Sequence, residues 1–347
     1  MNVGTRAAYP VGTPLSHYVL QEQQRAGSVS GEFSRLIHHL VLGAKVVGKF
    51  VAHAGLAEML GDDGGANSSG DAQKKLDVLA HERLSEHLLS SGLVAAIASE
   101  ESAHAVAANA DVAAGARYVV AFDPLDGSSN IDCNGSIGTI FSIFRCASPS
   151  GEIDDPDTLF LRPGREQVAA GYFLFGPSTA LVLSTGNGVA LFTLDPMVGE
   201  FFLTEDNIHV PVRGKYYALN EGNRQKWLTW TREYADWMHT GEATGSPYSQ
   251  RYVGTLVADA HRTLLYGGIF AYPEDRKNPH GKLRLLYEAM PMAFLFEQAG
   301  GAATDGETGI LDREIRALHQ RTPLMLGSRE DVGDLHMFTE GRATPWV

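Results

Sequence analysis

Cysteine, basic charge and long apolar runs are what this 347-residue chain has little of. Its two cysteines, Cys133 and Cys146, are too few for a disulfide-dependent secreted fold, so both are expected as free thiols. Lys and Arg number 28 against 41 Asp and Glu, and the net charge of −13 argues against nucleic acid and anionic membranes as partners, since both reward basic surface. No stretch approaches the ~18 apolar residues of a membrane span, and the first residues lack a charged-then-apolar leader pattern. The expected location is cytoplasmic.

What is present is the composition of an ordinary globular protein, 44% hydrophobic and 20% charged, with length for two domains or two lobes. Residues 1 to about 30 are mixed and turn-rich. Phe33, Leu36, Ile37, Leu40, Val41, Ala44, Val47 and Val51 then follow helical spacing, as do Leu76, Leu79, Ala80, Leu84 and Leu88 up to the stop at Ser90-Ser91-Gly92. Between them, residues 61–70 carry four glycines and no apolar pattern, which predicts a mobile surface loop. Leu93 to Ala98 reads as a short buried strand. The segments 136–145, 166–175, 180–183 and 189–194 read as short strands of a largely antiparallel sheet. Leu264 to Tyr272 is strand-like, and Leu283, Leu286, Tyr287, Met290 and Phe294 trace a helix in which Pro291 predicts a kink. A boundary near 205–215 divides the chain into lobes 1–210 and 211–347.

Chemistry concentrates in Asp123-Pro-Leu-Asp-Gly-Ser-Ser-Asn130, directly after the apolar run Tyr118-Val-Val-Ala-Phe122. Two carboxylates, a tight turn and a glycine followed by small hydroxyl residues can hold a hard cation such as Mg²⁺ beside a phosphate. A helix–loop–helix calcium site would place its glycine sixth after a leading Asp, but counting back from Gly127 reaches Phe122, so that reading fails. The pattern implies metal-dependent phosphate chemistry.

Further acids join the set. Asp71 and Asp77 straddle the start of the second helix, Glu100 and Glu101 end a strand, and Glu288 lies among apolar residues of the late helix. Singly, Asp71 reads as a polar loop residue, Asp77 as an acid at a helix start and Glu288 as a solvated helix-face residue. Carboxylates collected at strand ends are costly without compensating cations, so the set points to metal.

The motifs Ser99-Glu-Glu101, Asp123 to Asp132, Asn220-Glu-Gly222, Arg251-Tyr-Val-Gly254 and Gly281-Lys-Leu-Arg-Leu-Leu-Tyr-Glu288 follow the order of fructose-1,6-bisphosphatase. The chain resembles the class I enzymes of the lithium-sensitive, metal-dependent sugar phosphatases from about residue 25 to 330. That resemblance implies a layered α/β fold (αβαβα) with two lobes, a homotetramer, and hydrolysis of the 1-phosphate of fructose 1,6-bisphosphate in gluconeogenesis or the Calvin cycle. It implies two or more Mg²⁺ per subunit, replaceable by Mn²⁺, on Glu100, Asp123, Asp126, Glu288 and the Leu125 carbonyl. Asp71 would complete a third metal position from its loop, and Asp77 and Glu101 would orient and deprotonate the attacking water. Asp126, Gly127, Ser128 and Ser129 would meet the 1-phosphate. The second phosphate would fall to Asn220, Tyr252, Tyr272 and Lys282, with Arg251 supplied by a neighbouring subunit; a plainer reading makes Tyr252 and Tyr272 sheet aromatics with wet tips.

The same resemblance implies an AMP effector site at Ser30, Gly31, Glu32, Phe33 and Ser34, assisted by Arg117, Tyr118 and Arg145, although Ser-Gly-Glu also serves as a plain helix start. The cysteine-bearing insertion of the redox-regulated relatives is missing, so no thiol switch is expected. Two positions depart from the family pattern. Asn223-Arg224 replaces a phosphate-contacting Tyr, so that contact is lost or passes to Arg224, and Leu256 stands where Met is frequent. Both departures favour a seven-carbon substrate, sedoheptulose 1,7-bisphosphate, as the alternative. A catalytically silent phosphate- or AMP-sensing protein is the reading from another class.

Overall fold

The computed structural model describes residues 8–25, 31–57, 59–66, 72–112, 115–146 and 153–339. Helices α1 (Leu15–Arg25), α2 (Glu32–His53) and α3 (Lys75–Leu89) form the first layer. Between α2 and α3 a two-stranded ribbon pairs β1 (Asp62–Ala66) with β2 (Ala72–Lys74) antiparallel. An eight-stranded sheet follows, built from β3 (Val94–Ser99), β4 (Val106–Ala107), β5 (Tyr118–Asp126), β6 (Ile137–Arg145), β7 (Gln167–Phe175), β8 (Thr179–Ser184), β9 (Ala190–Asp195) and β10 (Glu200–Glu205). Its order is β10-β9-β8-β7-β6-β5-β3-β4, and β3–β5 is its one parallel pair.

Alternation along β5 explains the layering. Val120 and Phe122 pack with α1 to α3 on one face, whereas Val119 and Ala121 join a second core on the other. Strands buried on both faces read as continuous apolar runs, which is why Tyr118 to Phe122 shows no polar interruption. The second core is shared with α5 (Leu256–Tyr266) and α6 (Met290–Gln298). Beyond those helices lies a five-stranded sheet of order β12-β11-β13-β17-β15, made by β11 (Tyr216–Ala218), β12 (Ser249–Gln250), β13 (Ile269–Tyr272), β15 (Ala302–Thr304) and β17 (Leu324–Gly327). There Phe270 faces α5 and α6, while Ile269 and Ala271 face α4 (Thr229–Met238) in a third core. Five layers result, helix–sheet–helix–sheet–helix, the architecture expected from the resemblance.

Several local readings are corrected. The turn-rich first segment contains α1, whose Leu15, Tyr18, Val19 and Glu22 are buried at helical spacing. Part of the glycine-rich stretch forms β1; glycine is tolerated there because the ribbon needs little side-chain packing and Lys74 Nζ holds Asp62 at 2.8 Å. Residues 67–70 and Asp71 lie outside the described residues. Leu264 to Tyr266 close α5 instead of opening a strand, and Gly267 and Gly268, at φ of 71° and 97°, turn the chain into β13. The late stripe is helical only from Leu285 onward. Leu283–Arg284 is strand β14, paired with β16 (Arg321–Thr322), and Leu285–Ala289 forms a π turn whose end Met290 N–H donates to the Leu285 carbonyl. Pro291 follows directly, inside the helical run that the π turn and α6 make together, where its missing N–H removes one intrahelical donor.

Candidate active site

Strands β3 and β5 lie parallel with Ser99 opposite Phe122, so their carboxylate-bearing ends emerge side by side; Glu100 N–H donates to the Phe122 carbonyl at 3.1 Å. Against β6, Asp123 pairs with Ile140 but Asp126 with Gly138, three steps against two. That bulge changes the strand's alternation and turns both aspartates to one site. Asp123 Oδ1 accepts from Leu125 N–H at 3.0 Å, and the Pro124 carbonyl accepts from Thr139 Oγ1 at 2.8 Å, which fixes the bulged peptide. The chain then turns at Gly127, φ 83°, into the short helix Ser128–Asn130.

Glu288 reaches the same point from the π turn, its Oε2 accepting from Arg284 N–H. Oxygens of Asp123, Asp126 and Glu288 all lie within 4.8 Å of one another, and all three residues are buried. Asp77, in the first turn of α3, accepts from Lys74 N–H at 2.9 Å, and its Oδ1 is buried without a hydrogen bond of normal geometry. Glu100 is ion-paired with Arg284. These residues, with Glu101, Leu125, Gly127, Ser128 and Ser129, line one cavity of about 440 Å³.

The electrostatics of this wall fit a cation. Burial, then the charges of Glu100, Glu288 and Asp126, raise the Asp123 carboxyl well above its usual range. Burial likewise pushes Asp126 up to about 7, against the opposing N–H groups of Val257 and Leu256, and Glu288 up to about 8, against Arg284. Asp77 is pushed up to about 6 by burial, with the Lys74 N–H and the Ser128 hydroxyl opposing. Carboxylates that mutually resist ionisation, in an all-oxygen donor set, suit a hard divalent ion.

The far end of the cavity is lined by Asn220, Tyr252, Tyr272 and Lys282, with Leu256, Phe270 and Leu283 as apolar wall. Asn220 interacts with the Tyr252 hydroxyl and caps its own turn by accepting from Gly222 N–H at 3.1 Å. Arg251 is exposed, 5.5 Å over the Tyr216 ring, and is absent from the cavity lining of its own chain. Arg224 does not face this end either: it binds Asp236 at 2.7 and 2.8 Å.

The expected effector residues divide. Phe33, Tyr118 and Arg145 line a separate cavity of about 270 Å³ with Gln23, Thr185 and Gly186. Glu32 is paired with Arg117 at 3.4 Å, Ser34 Oγ donates to Gln23 at 2.6 Å, Gly31 caps α2 at φ 70°, and Ser30 lies outside the described residues.

Sequence reasoning missed Arg284, although an arginine inside the apolar run Leu283 to Tyr287 had to meet a buried carboxylate. Thr255, which packs on Gly127 and accepts from Asn130, and Asp259, which accepts from Val253 and Gly254 N–H, carry no comparable local signal.

Comparison with known proteins agrees with this geometry. The family model for the Fructose-1-6-bisphosphatase N-terminal domain matches residues 13–206 and that for the C-terminal domain matches residues 210–340. The chain is 50% identical over 333 residues to a class 1 fructose-1,6-bisphosphatase of Sorangium cellulosum, covering 95% of this chain and 94% of the relative. It is 48% identical over 325 residues to a cytosolic fructose-1,6-bisphosphatase of Oryza coarctata, covering 92% of each. The holo crystal structure of Leishmania major fructose-1,6-bisphosphatase superposes with a TM-score of 0.89 at 43% identity, over 95% of this chain and 99% of that one. On this match along its length, the chain belongs to the fructose-1,6-bisphosphatase family of phosphoric monoester hydrolases.

Proposed function

We propose that this protein hydrolyses the 1-phosphate of fructose 1,6-bisphosphate with Mg²⁺, serving gluconeogenesis or the Calvin cycle. The observation that supports this most is the single cavity in which a carboxylate wall, the Gly127–Ser129 turn and the Asn220–Tyr252–Tyr272–Lys282 end converge. Asp123, Asp126, Glu288, Glu100 and the Leu125 carbonyl would hold two or more ions, Mn²⁺ serving in place of Mg²⁺, and Asp71 would complete a further position. When bound, the ions neutralise phosphoryl charge and acidify water.

This chain's own residues divide the remaining work. Backbone N–H groups at Gly127 to Ser129 and the two hydroxyls orient the 1-phosphate for in-line attack. Glu101 and Asp77 orient the attacking water and take its proton as the oxygen–phosphorus bond forms and the bond to the sugar oxygen breaks; burial raises Asp77 to about 6, which makes its carboxylate a stronger proton acceptor for that role. Asn220, Tyr252, Tyr272 and Lys282, with the partner subunit supplying a second copy of Arg251, grip the other phosphate without cleaving it. Lobes 1–210 and 211–347 would meet at this cavity in a cytoplasmic homotetramer.

AMP is the proposed effector, bound in the cavity lined by Phe33, Tyr118 and Arg145, where an aromatic pair and a guanidinium suit a nucleotide. The test of the main reading is phosphate release from fructose 1,6-bisphosphate with Mg²⁺ and with chelator, by wild type and Glu101→Gln. Fast release that stops with chelator and falls at least ~100-fold in the variant is expected. Release from neither this ester nor sedoheptulose 1,7-bisphosphate, in folded protein, would shift the assignment to phosphate sensing.

A further inference from the structure

Asp259 lies in the first turn of α5 and is 1% exposed, yet it touches neither the carboxylate wall nor the second-phosphate residues through its side-chain hydrogen bonds. Its Oδ1 accepts from Val253 N–H at 2.9 Å and its Oδ2 from Gly254 N–H at 2.9 Å. Both residues so held are exposed, Val253 by 46%, so water could serve their surroundings. Withdrawing a carboxylate from water to grip two amides of an exposed loop contributes little to stability, because desolvation offsets the bonds, but it fixes the loop's position.

That loop connects the two ends of the cavity. It begins at Tyr252, beside Asn220. Thr255 Oγ1 accepts from Asn130 Nδ2 at 2.5 Å, and Thr255 packs so closely on Gly127 that a Cβ there would lie 2.4 Å from Thr255 Cγ2. Two residues further, Val257 N–H donates to Asp126 Oδ2 at 2.7 Å. Residues 252–257 therefore run as one strut from the second-phosphate end to the Gly127 turn, and Asp259 anchors its middle to α5.

We infer that Asp259 is a positioning residue that sets the separation between the two phosphate sites, and so selects ligands carrying two phosphates at one spacing. The inference rests on the functional reading above. A ligand occupying one end alone feels the local contacts but not the spacing; a bisphosphate feels both.

The test compares wild type with Asp259→Asn, which keeps one acceptor and sets an NH₂ group against a backbone N–H, and with Thr255→Ala, which frees the strut from Asn130 without burying a new polar atom. Measured for each are kcat and KM for fructose 1,6-bisphosphate, and the inhibition constants of inorganic phosphate and of fructose 6-phosphate. Expected is a KM rise of about tenfold or more, the scale of one lost charge-assisted hydrogen bond, with both inhibition constants within about threefold of wild type. An unchanged KM, or a fructose 6-phosphate constant that weakens as much as KM does, overturns the inference, since the loss would then be local. Should Asp259→Asn fail to fold, Thr255→Ala gives the same discrimination. Wild-type protein that releases no phosphate from the bisphosphate overturns the functional reading and this inference with it, whereas active wild type beside variants that weaken the monophosphate as much as the bisphosphate, or weaken neither, overturns only the inference.

Discussion

Replacing Glu288 by Gln should stabilise the metal-free chain at alkaline pH and deprive it of stabilisation by metal. Glu288 is 6% exposed and shares its site with Asp123 and Asp126. Burial pushes its carboxyl from 4.5 to about 8, Arg284 opposing and Asp126 and Glu100 adding to the rise. The folded state therefore keeps this proton after the unfolded chain has lost it. Stability from the group is intact below about 4.5, declines as pH rises and is gone above about 8. At ~1.4 kcal/mol per pH unit the full linkage is roughly 4–5 kcal/mol, and relaxation with the remaining carboxylates leaves about half. An unfolding entropy near 2 cal/mol/K per residue makes 2 kcal/mol worth about 3 °C in a chain of this length. Thermal melts in chelator should thus show Glu288→Gln close to wild type at pH 5 and about 3 °C above it at pH 9. Added Mg²⁺ at a hundredfold excess over its dissociation constant should raise wild type by about 2.7 kcal/mol and the variant by much less, reversing the order. A difference independent of pH, or a variant less stable than wild type in chelator at pH 9, refutes the argument that burial and mutual repulsion govern this wall.

Gly127→Ala combines a positive φ of 83° with a Cβ 2.4 Å from Thr255, so activity should drop at least ~30-fold while thermal melts show a loss of about 1–3 kcal/mol; near-normal turnover would show that the turn is not rigid. His261 bonds the Tyr172 hydroxyl through Nδ1 at 2.8 Å, and burial lowers its pKa from 6.5 to about 4. Its contribution is present above pH 6.5 and fades as pH falls toward 4, so wild type should lose ~2 kcal/mol more than His261→Gln between pH 7 and 5, and parallel melting curves would refute this. Arg145→Ala should weaken AMP inhibition at least ~10-fold with little change in uninhibited turnover; inhibition unaltered in the variant would remove AMP from the 270 Å³ cavity.

What could be read from the sequence was whatever is encoded locally. Phe33 to Val51 and Leu76 to Leu88 carry a helical period because each buries one face, and α2 and α3 occur there. The strands of the middle segment carry their own turn residues. By contrast, α1 is short and mostly polar, with mean character set by Gln and His, and is stabilised by packing on the sheet that no local pattern shows. Leu264 to Tyr266 look like strand because aromatic and aliphatic residues suit both states, and only Leu256, Val257, Ala260 and Leu264 together show the helix. The site divides in the same way: Asp123 to Ser129 is contiguous and visible, whereas the Arg284–Glu100 pair exists only once distant segments of the chain meet, and the short-range hold of Asp259 on residues 253 and 254 carries no sequence pattern of its own.

Sugar length is the remaining choice, and the structure narrows where it is made. Asn223 was a candidate, with Arg224 as its substitute donor, but Arg224 is held by Asp236 and lies 5.9 Å over the Trp227 ring. In the proposed function the second phosphate would then fall to Asn220, Tyr252, Tyr272 and Lys282, with the partner's Arg251, and these are the same for a six- or seven-carbon ester. Leu256 is different: 4% exposed at the start of α5, it is part of the cavity's apolar wall together with Phe270, where the proposed function would place the sugar. Leu reaches less far than Met, so it leaves more length for the sugar, and the swap conserves volume well enough to cost under ~1.5 kcal/mol of stability. Leu256→Met should therefore raise the ratio of kcat/KM for fructose 1,6-bisphosphate over sedoheptulose 1,7-bisphosphate by about 3- to 10-fold, the scale of one carbon in an apolar pocket. Asn223→Tyr should tighten KM for both esters alike and leave that ratio in place. A ratio that moves with Asn223 and not with Leu256 would mean that length is read at the phosphate end, and the wall at Leu256 only excludes water.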